Sequence, residues 1–481
     1  MAGEPGKRRS VPGRDNLLCD TADWKNGRCS QIENVKNIKD RPYIRPVFVY
    51  KQAFKGNIRK NGWSVRMQKF WSNAAPYLKA FLKWVICSAA VGAAAGTVGS
   101  VFCILINQSS QFFMEHNWMI WLLPVGGVCI VLFYRWCKKS HDNGTDTVIF
   151  SVRRTDRIPT VMVPLIFVST LITRAFGGSV GTEGAAIQLG GGLASSLGRL
   201  FHMGAKEKKI MIMCGISAGF AAVVGTPVTA IVLALELVGV GVVYYSAILP
   251  CALSSVVGFM IASAFHIDFP RYTLKDVPGL GPVSILQIAV LAALCGLVSI
   301  LFCIALRKSK QFYEHVFPGK ISRVIVGGLI IVGLTYLVGN NLYNGDSIGL
   351  IGAAVKGTSA PQDFLWKIAF TSLTISAGFK GGEIVPTFVV GATFGSFAGN
   401  LLGLSPSMGA GVGLVAVFCG AVNCPLTAFV LGLEVFGSGA GLFFLLACAV
   451  SYVFSGYYGL YPSQKIWFDK VRAAFIGRNA E

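Results

Sequence analysis

The chain has 481 residues, of which 53% are hydrophobic and only 14% charged, and its formal net charge is +21. So little charge spread over so much apolar sequence excludes an ordinary soluble domain, whose surface needs more. The positive excess argues against a nucleic-acid partner, because the basic residues stand beside stretches long enough to cross a bilayer.

Residues 1–76 read as a basic tail (Lys7, Arg8, Arg9, Lys51, Lys55, Arg59, Lys60, Arg66 and Lys69) with none of the apolar core of a signal peptide. The positive-inside rule places this tail in the cytoplasm, and its charge also suits anionic membrane lipid. Cys19 and Cys29 lie within it, where a cytoplasmic setting disfavours their pairing. A transmembrane domain is expected over 77–464, in halves of about 77–265 and 283–464, followed by a short C-terminal tail, 465–481. Residues 118–136, 283–306, 323–339 and 439–456 approach or exceed the roughly 20 residues a spanning helix needs. Other apolar stretches are short or interrupted by Gly and Pro, which predicts tilted, broken or re-entrant helices. The thirteen cysteines contain no CxxC pair and mostly fall in apolar segments, as small buried side chains do. With five histidines and no HExxH pattern, neither a metal nor a cofactor is expected.

Residues 177–191 read GGSVGTEGAAIQLGG, with one carboxylate, Glu183, in a glycine-rich break. A charged residue at the centre of a membrane helix costs about 2.5–3.5 kcal/mol or more, and such residues mark ion or proton paths. A helix starting at this break turns bare N–H groups toward whatever sits there, which suits an anion. Carboxylate and anion would compete for one place.

The sequence also repeats. Residues 227–239, PVTAIVLALELVG, and 425–437, PLTAFVLGLEVFG, are identical at eight of thirteen positions, at an offset of 198. The break has its own partner in 381–395, GGEIVPTFVVGATFG, where Glu383 falls opposite Glu183 at an offset of 200. Paired interruptions in two repeats are the usual setting of a transporter's ion site. Glu236 and Glu434 end the repeated apolar helices. Binding of neighbouring backbone is the favoured role for both, with proton transfer by Glu236 a weaker alternative.

These residues resemble the CLC family of chloride channels and anion/proton antiporters. Gly181-Thr182-Glu183-Gly184-Ala185 looks like the family's gating-glutamate motif. Gly382-Glu383-Ile384-Val385-Pro386 is similar to the motif that opens a helix on the anion. Gly144-Thr145-Asp146-Thr147-Val148 stands where the family carries a hydroxyl ligand, and Tyr461 matches the tyrosine of the inner mouth. The resemblance implies an all-α polytopic membrane protein with two inverted repeats, forming a homodimer with one anion path per subunit. It implies an anion site built from Gly144, Thr145, Gly184, Ala185, Ile384, Val385 and Tyr461. Glu183 would be its gate, and Glu383 a possible proton route.

Several positions depart from the family pattern. Thr182 replaces a basic residue, and Ala185 replaces a proline. Asp146 replaces a small residue and is expected to point away from the anion or to cap a helix. Leu237 replaces the inner proton-transfer glutamate of the chloride antiporters. Glu383 resembles a feature of the fluoride-exporting branch, yet Val385 stands where that branch has threonine. The expected function is transport of a small halide, chloride ahead of fluoride, by a passive channel or with protons. An enzyme would need a nucleophile–base pair or metal ligands at membrane depth, and none is visible. A non-transporting scaffold is a further alternative. The expected location is the plasma (inner) membrane.

Overall fold

The computed structural model describes residues 62–138, 144–154, 158–472 and 474–481. The chain divides into two units, Met1–Ala74 and Ala75–Glu481. Of the first unit only the helical backbone of 62–74 is described, so Cys19, Cys29 and most of the basic tail lie outside the described residues.

The first repeat half contains α1 (Gly62–Glu115), α2 (Leu123–Trp136), α3 (Thr145–Arg154), α4 (Met162–Ala175), α5 (Glu183–Leu200), α6 (Ala205–Val224), α7 (Pro227–Glu236) and α8 (Ile248–Ala264). The second contains α9 (Pro282–Val316), α10 (Lys320–Val338), α11 (Ile348–Lys356), α12 (Asp363–Ala377), α13 (Ile384–Leu401), α14 (Pro406–Val422), α15 (Pro425–Phe436) and α16 (Gly441–Phe454). Proline at the first position starts α7, α9, α14 and α15, where its missing N–H costs nothing. Among the described residues, six segments are long and apolar enough to cross a membrane, Pro282–Val316 and Ile384–Leu401 among them. Others are too short: α7 has 10 residues and α11 has 9, well under a bilayer's thickness at the helical rise. These short helices are tolerated because protein surrounds them.

Two pairs of nearly buried helices form the centre. Helices α5 and α6 meet through Gly190 and Gly215, and α13 and α14 through Gly391 and Gly413. A Cβ on Gly190 would stand 2.0 Å from the Gly215 carbonyl oxygen, and one on Gly413 2.1 Å from that of Gly391. In a bilayer, where apolar side chains gain nothing by leaving lipid, such backbone contact holds helices together. The longer helices α9 and α10 turn large apolar side chains outward, including Leu286 and Leu337.

The repeats exchange contacts symmetrically. Glu236, at the end of α7, accepts from Thr427 N at 2.9 Å, Thr427 Oγ1 at 2.7 Å and Leu426 N at 3.3 Å. Glu434, at the end of α15, accepts from Thr229 N at 2.7 Å, Thr229 Oγ1 at 2.6 Å and Val228 N at 3.0 Å. Each glutamate caps the helix that begins the other's repeat, where an anion is most stabilising. Both Glu236 oxygens are thus engaged by α15, the backbone-binding arrangement favoured for it from the sequence.

Two ranges differ from the sequence expectation. Helix α1 begins at Gly62, within the segment assigned to the tail. The C-terminal segment is no plain tail. Strand β1 (Gly239–Val240) pairs in parallel with β2 (Lys465–Phe468), which pairs antiparallel with β3 (Phe475–Asn479). Val240, Ile466 and Ala480 form a small apolar cluster there, a non-local contact that two-residue β1 could not announce.

Gly413→Ala should break the α13–α14 contact, at a cost of about 1–3 kcal/mol from overpacking. The expected result is a lower unfolding temperature and loss of a monodisperse peak in detergent. Gly439→Ala, where a Cβ meets nothing within 4 Å, should leave both unchanged.

Candidate anion site

The two glycine-rich breaks are hydrogen-bonded to each other. Gly181 N donates to Gly382 O at 2.7 Å and Gly382 N to Gly181 O at 2.7 Å, an antiparallel bridge between the repeats. Side chains would not fit: a Cβ on Gly382 would lie 2.5 Å from Gly184 N, and one on Gly381 2.3 Å from Val180 Cβ. Helix α5 starts two residues after Gly181 and α13 two residues after Gly382, so their N-termini meet. Neither start carries a side-chain cap that bonds its amides. Their first-turn donors, at Gly184–Ala185 and Ile384–Val385, are offered to the space between them. Helix α3 adds a third N-terminus at Thr145, which the chain enters through Gly144 at φ +63°.

Glu183 is buried and folded over the start of its own helix. It accepts from Thr182 N at 3.0 Å and from Thr182 Oγ1 at 2.7 Å. The carboxylate occupies a place the helix end offers to an anion. Thr182, where the family carries a basic residue, holds it by a neutral hydroxyl.

A second group of polar atoms gathers at Gly184. Thr145 Oγ1 lies 3.4 Å from Gly184 O and 3.4 Å from Gln188 Nε2. A methyl on Gly184 would stand 3.2 Å from Thr145 Oγ1 and 3.6 Å from Glu383 Oε2. The Tyr461 hydroxyl lies beside Thr145. Tyr461 Oη and Glu383 Oε2 are both buried and make no hydrogen bond among the described residues. Such buried atoms call for partners: the tyrosine hydroxyl can donate, and the carboxylate oxygen accepts unless it carries a proton. Ala185, Ile384 and Val385 are buried in the first turns of α5 and α13. Asp146 points elsewhere: its carboxylate accepts from Ser463 N at 3.0 Å and from Ser463 Oγ, and so ties the loop bearing Tyr461 to α3. Tyr457 is occupied by Asp469, which leaves Tyr461 as the tyrosine of the site.

On its other side Glu383 lines a cavity of about 800 Å³, with Gly144, Gln188, Leu460 and Pro462 among its neighbours. Glu383 therefore stands between that vestibule and the polar group at Gly184.

Sequence reasoning missed Gln188, Arg174, Asp346 and Lys367. Lys367, buried in α12, donates to Ser179 Oγ at 3.0 Å, Ser347 Oγ at 2.9 Å, Gly345 O at 2.9 Å and Tyr343 O at 3.2 Å. Arg174 donates to Val180 O at 3.2 Å, Ser110 Oγ at 2.7 Å and Asp346 Oδ2 at 2.6 Å. Together the two cations clamp the strand that delivers Glu183. Each is a lone charge in an apolar run, a signal as strong as that of Glu183 itself.

Fold and site define a polytopic membrane protein with an anion site at the meeting of two inverted repeats. Residues 125–456 match the family described as voltage gated chloride channel, and the chain belongs to that family. It is 34% identical over 402 residues to a "Chloride/fluoride channel protein" of Pseudomonas syringae pv. tomato, covering 82% of this chain and 88% of the relative. It is 25% identical over 379 residues to the "H(+)/Cl(-) exchange transporter ClcA" of Klebsiella pneumoniae subsp. pneumoniae, covering 72% and 80%. Among solved structures, a CLC-type fluoride/proton antiporter superposes with a TM-score of 0.77 at 30% identity, covering 80% of this chain and 98% of that one. A slow cyanobacterial Cl-/H+ antiporter, at 20% identity and TM-score 0.68 over 77% and 94%, shares the fold.

Glu183→Gln removes the one charge that competes with an anion at the start of α5. Halide efflux from liposomes should then keep only the pH dependence that Glu383 contributes, whereas the unaltered chain should respond to acid through both carboxylates. Equal pH response in both proteins would show that Glu183 is no gate.

Proposed function

We propose that this protein transports halide across a membrane in exchange for protons, with fluoride as its preferred substrate. Glu183 gates one end of the path, and Glu383 passes protons between the vestibule and the site. One observation carries this reading: the unpaired Oε2 of Glu383, buried beside Gly184, Thr145 and Tyr461. Ionised, that carboxylate would repel a desolvated anion; protonated, it becomes a third hydroxyl donor to it. Fluoride, the smallest and most basic halide, gains most from such donors. A relative named for chloride and fluoride and a structural neighbour described as a fluoride/proton antiporter support the same choice.

Chloride is the second reading, favoured by the apolar Ile384 and Val385, which add no hydroxyl beside the α13 amides. Leu237 supplies no acid where chloride antiporters carry one, so chloride would move here as through a channel.

The protein acts as a homodimer, in keeping with the exposed apolar side chains on α7, α8, α15 and α16, such as Val228, Met260, Leu426 and Leu442. The basic tail and the basic vestibule face the cytoplasm of the plasma (inner) membrane by the positive-inside rule.

The test is efflux from liposomes loaded with fluoride or chloride, with external pH recorded in the same vessel. Fluoride leaving should draw protons inward and make the medium alkaline. Glu383→Gln keeps a neutral donor but cannot release a proton. It should therefore abolish proton movement, with halide flux falling about 100-fold or surviving uncoupled. Chloride flux with no proton movement in the unaltered protein would overturn the proposal and favour the channel.

A further inference from the structure

The vestibule is far more basic than a passing halide requires. Its wall brings together Arg135 at the end of α2, Arg307 and Lys310 of α9, Lys320 and Arg323 of α10, and Lys380 before α13. Its carboxylates are Asp146, Glu314 and Glu383. Asp146 is engaged by Ser463, and Glu314 lies 3.6 Å from Arg323. Lys320 is close enough to Lys380, Arg323 and Arg135 for their charges to repel. Lys320 and Arg323 also occupy the first turn of a 19-residue helix with no acid in that turn, the end where positive charge is disfavoured.

Attraction of halide explains a general positive potential. It does not explain like charges crowded against a helix N-terminus, because a transported ion needs sites weak enough to leave. Arg135 and Arg307 offer planar forks that match phosphate oxygens, whereas Arg323 already donates to Phe317 O and faces Glu314. A chamber of about 800 Å³ also has the volume of a small-molecule pocket.

We propose that the vestibule binds a polyanion carrying two or more phosphate groups, and that its occupation blocks the halide's way to Glu383. The shared chemistry is the phosphate cluster, supplied by a soluble diphosphate or nucleotide, or by the headgroup of an anionic lipid. The proposal stands whichever halide is carried.

Binding is tested by thermal unfolding of the full chain in neutral detergent, which needs no transport. Pyrophosphate is titrated against potassium gluconate at matched ionic strength. Cardiolipin is titrated in a parallel series. A saturable rise in unfolding temperature with pyrophosphate is expected. Arg307→Gln and Lys310→Gln should each raise the half-saturating concentration roughly tenfold or more, as loss of a charge-assisted contact does. These residues are half-buried and exposed, so both variants should fold. A shift with cardiolipin alone, weakened by the same variants, would support the site and assign it to lipid. In neutral-lipid liposomes, pyrophosphate outside should slow efflux through molecules whose vestibule faces outward. If neither titrant gives a saturable shift, or if both variants respond as the unaltered chain does, the proposal fails.

Discussion

Two backbone hydrogen bonds, between Gly181 and Gly382, fix the geometry of this protein. They join the two breaks in antiparallel fashion about a local two-fold relation, one residue off the 200-residue offset, so that Glu183 is the first residue of α5 whereas Glu383 precedes α13. The same symmetry reappears in the glutamate caps, where Glu236 serves α15 and Glu434 serves α7. Once the breaks are paired, α5 and α13 must begin side by side. Their unsatisfied amides then face one small volume from opposite halves of the chain. The glycines are required because the neighbouring backbone already lies where a Cβ would go. Helix–helix contacts through Gly190–Gly215 and Gly391–Gly413 hold the bodies of those helices at the corresponding spacing.

Among the described residues, no cationic side chain hydrogen-bonds the polar group at Gly184, Thr145 and Glu183. Positive potential comes from helix ends and hydroxyls, with Arg174 and Lys367 standing behind the strand 179–180. This arrangement suits an ion that must leave as readily as it enters. A lysine in direct contact would hold a desolvated halide too firmly. It also leaves Glu183 free to compete, because moving it costs only hydrogen bonds from neutral donors, Thr182 N, Thr182 Oγ1 and its own backbone amide. A basic residue at position 182 would add an ion pair to that cost. The neutral threonine makes the gate easier to displace.

Much of this was legible in the sequence. The two breaks, their glutamates and the eight-in-thirteen repeat mark the axis of the fold because they are local patterns repeated at nearly one offset. Thr145 and Tyr461, singled out by separate motifs, are brought beside one another near Gly184. What escaped is non-local. Gln188 lies one turn beyond a motif and matters only because α3 crosses it. The Asp146–Ser463 contact joins residues 317 apart, and the C-terminal sheet depends on a partner strand of two residues. Neither Arg174 nor Lys367 carries a motif, although each was visible as a lone charge in an apolar run. The vestibule gathers cations from four separate segments, and no linear window contains them.

The missing inner acid at Leu237 takes on a different meaning in this geometry. Leu237 is fully buried, and its carbonyl accepts from Gln464 Nε2 at 3.0 Å, so the position serves the packing of the C-terminal segment. Glu236 beside it is held by three donors from α15. Neither residue is placed to exchange protons with water. Glu383 meets both requirements: one flank lines the vestibule, and Oε2 reaches the polar group at Gly184. If Glu383 carries protons as proposed, a separate proton branch through α7 is unnecessary. Proton and halide would then share the last few ångströms of one path. In such a path a proton on Glu383 both neutralises the obstacle to the anion and donates to it. On the proposed reading, coupling would arise because neither ion passes that point without altering the other.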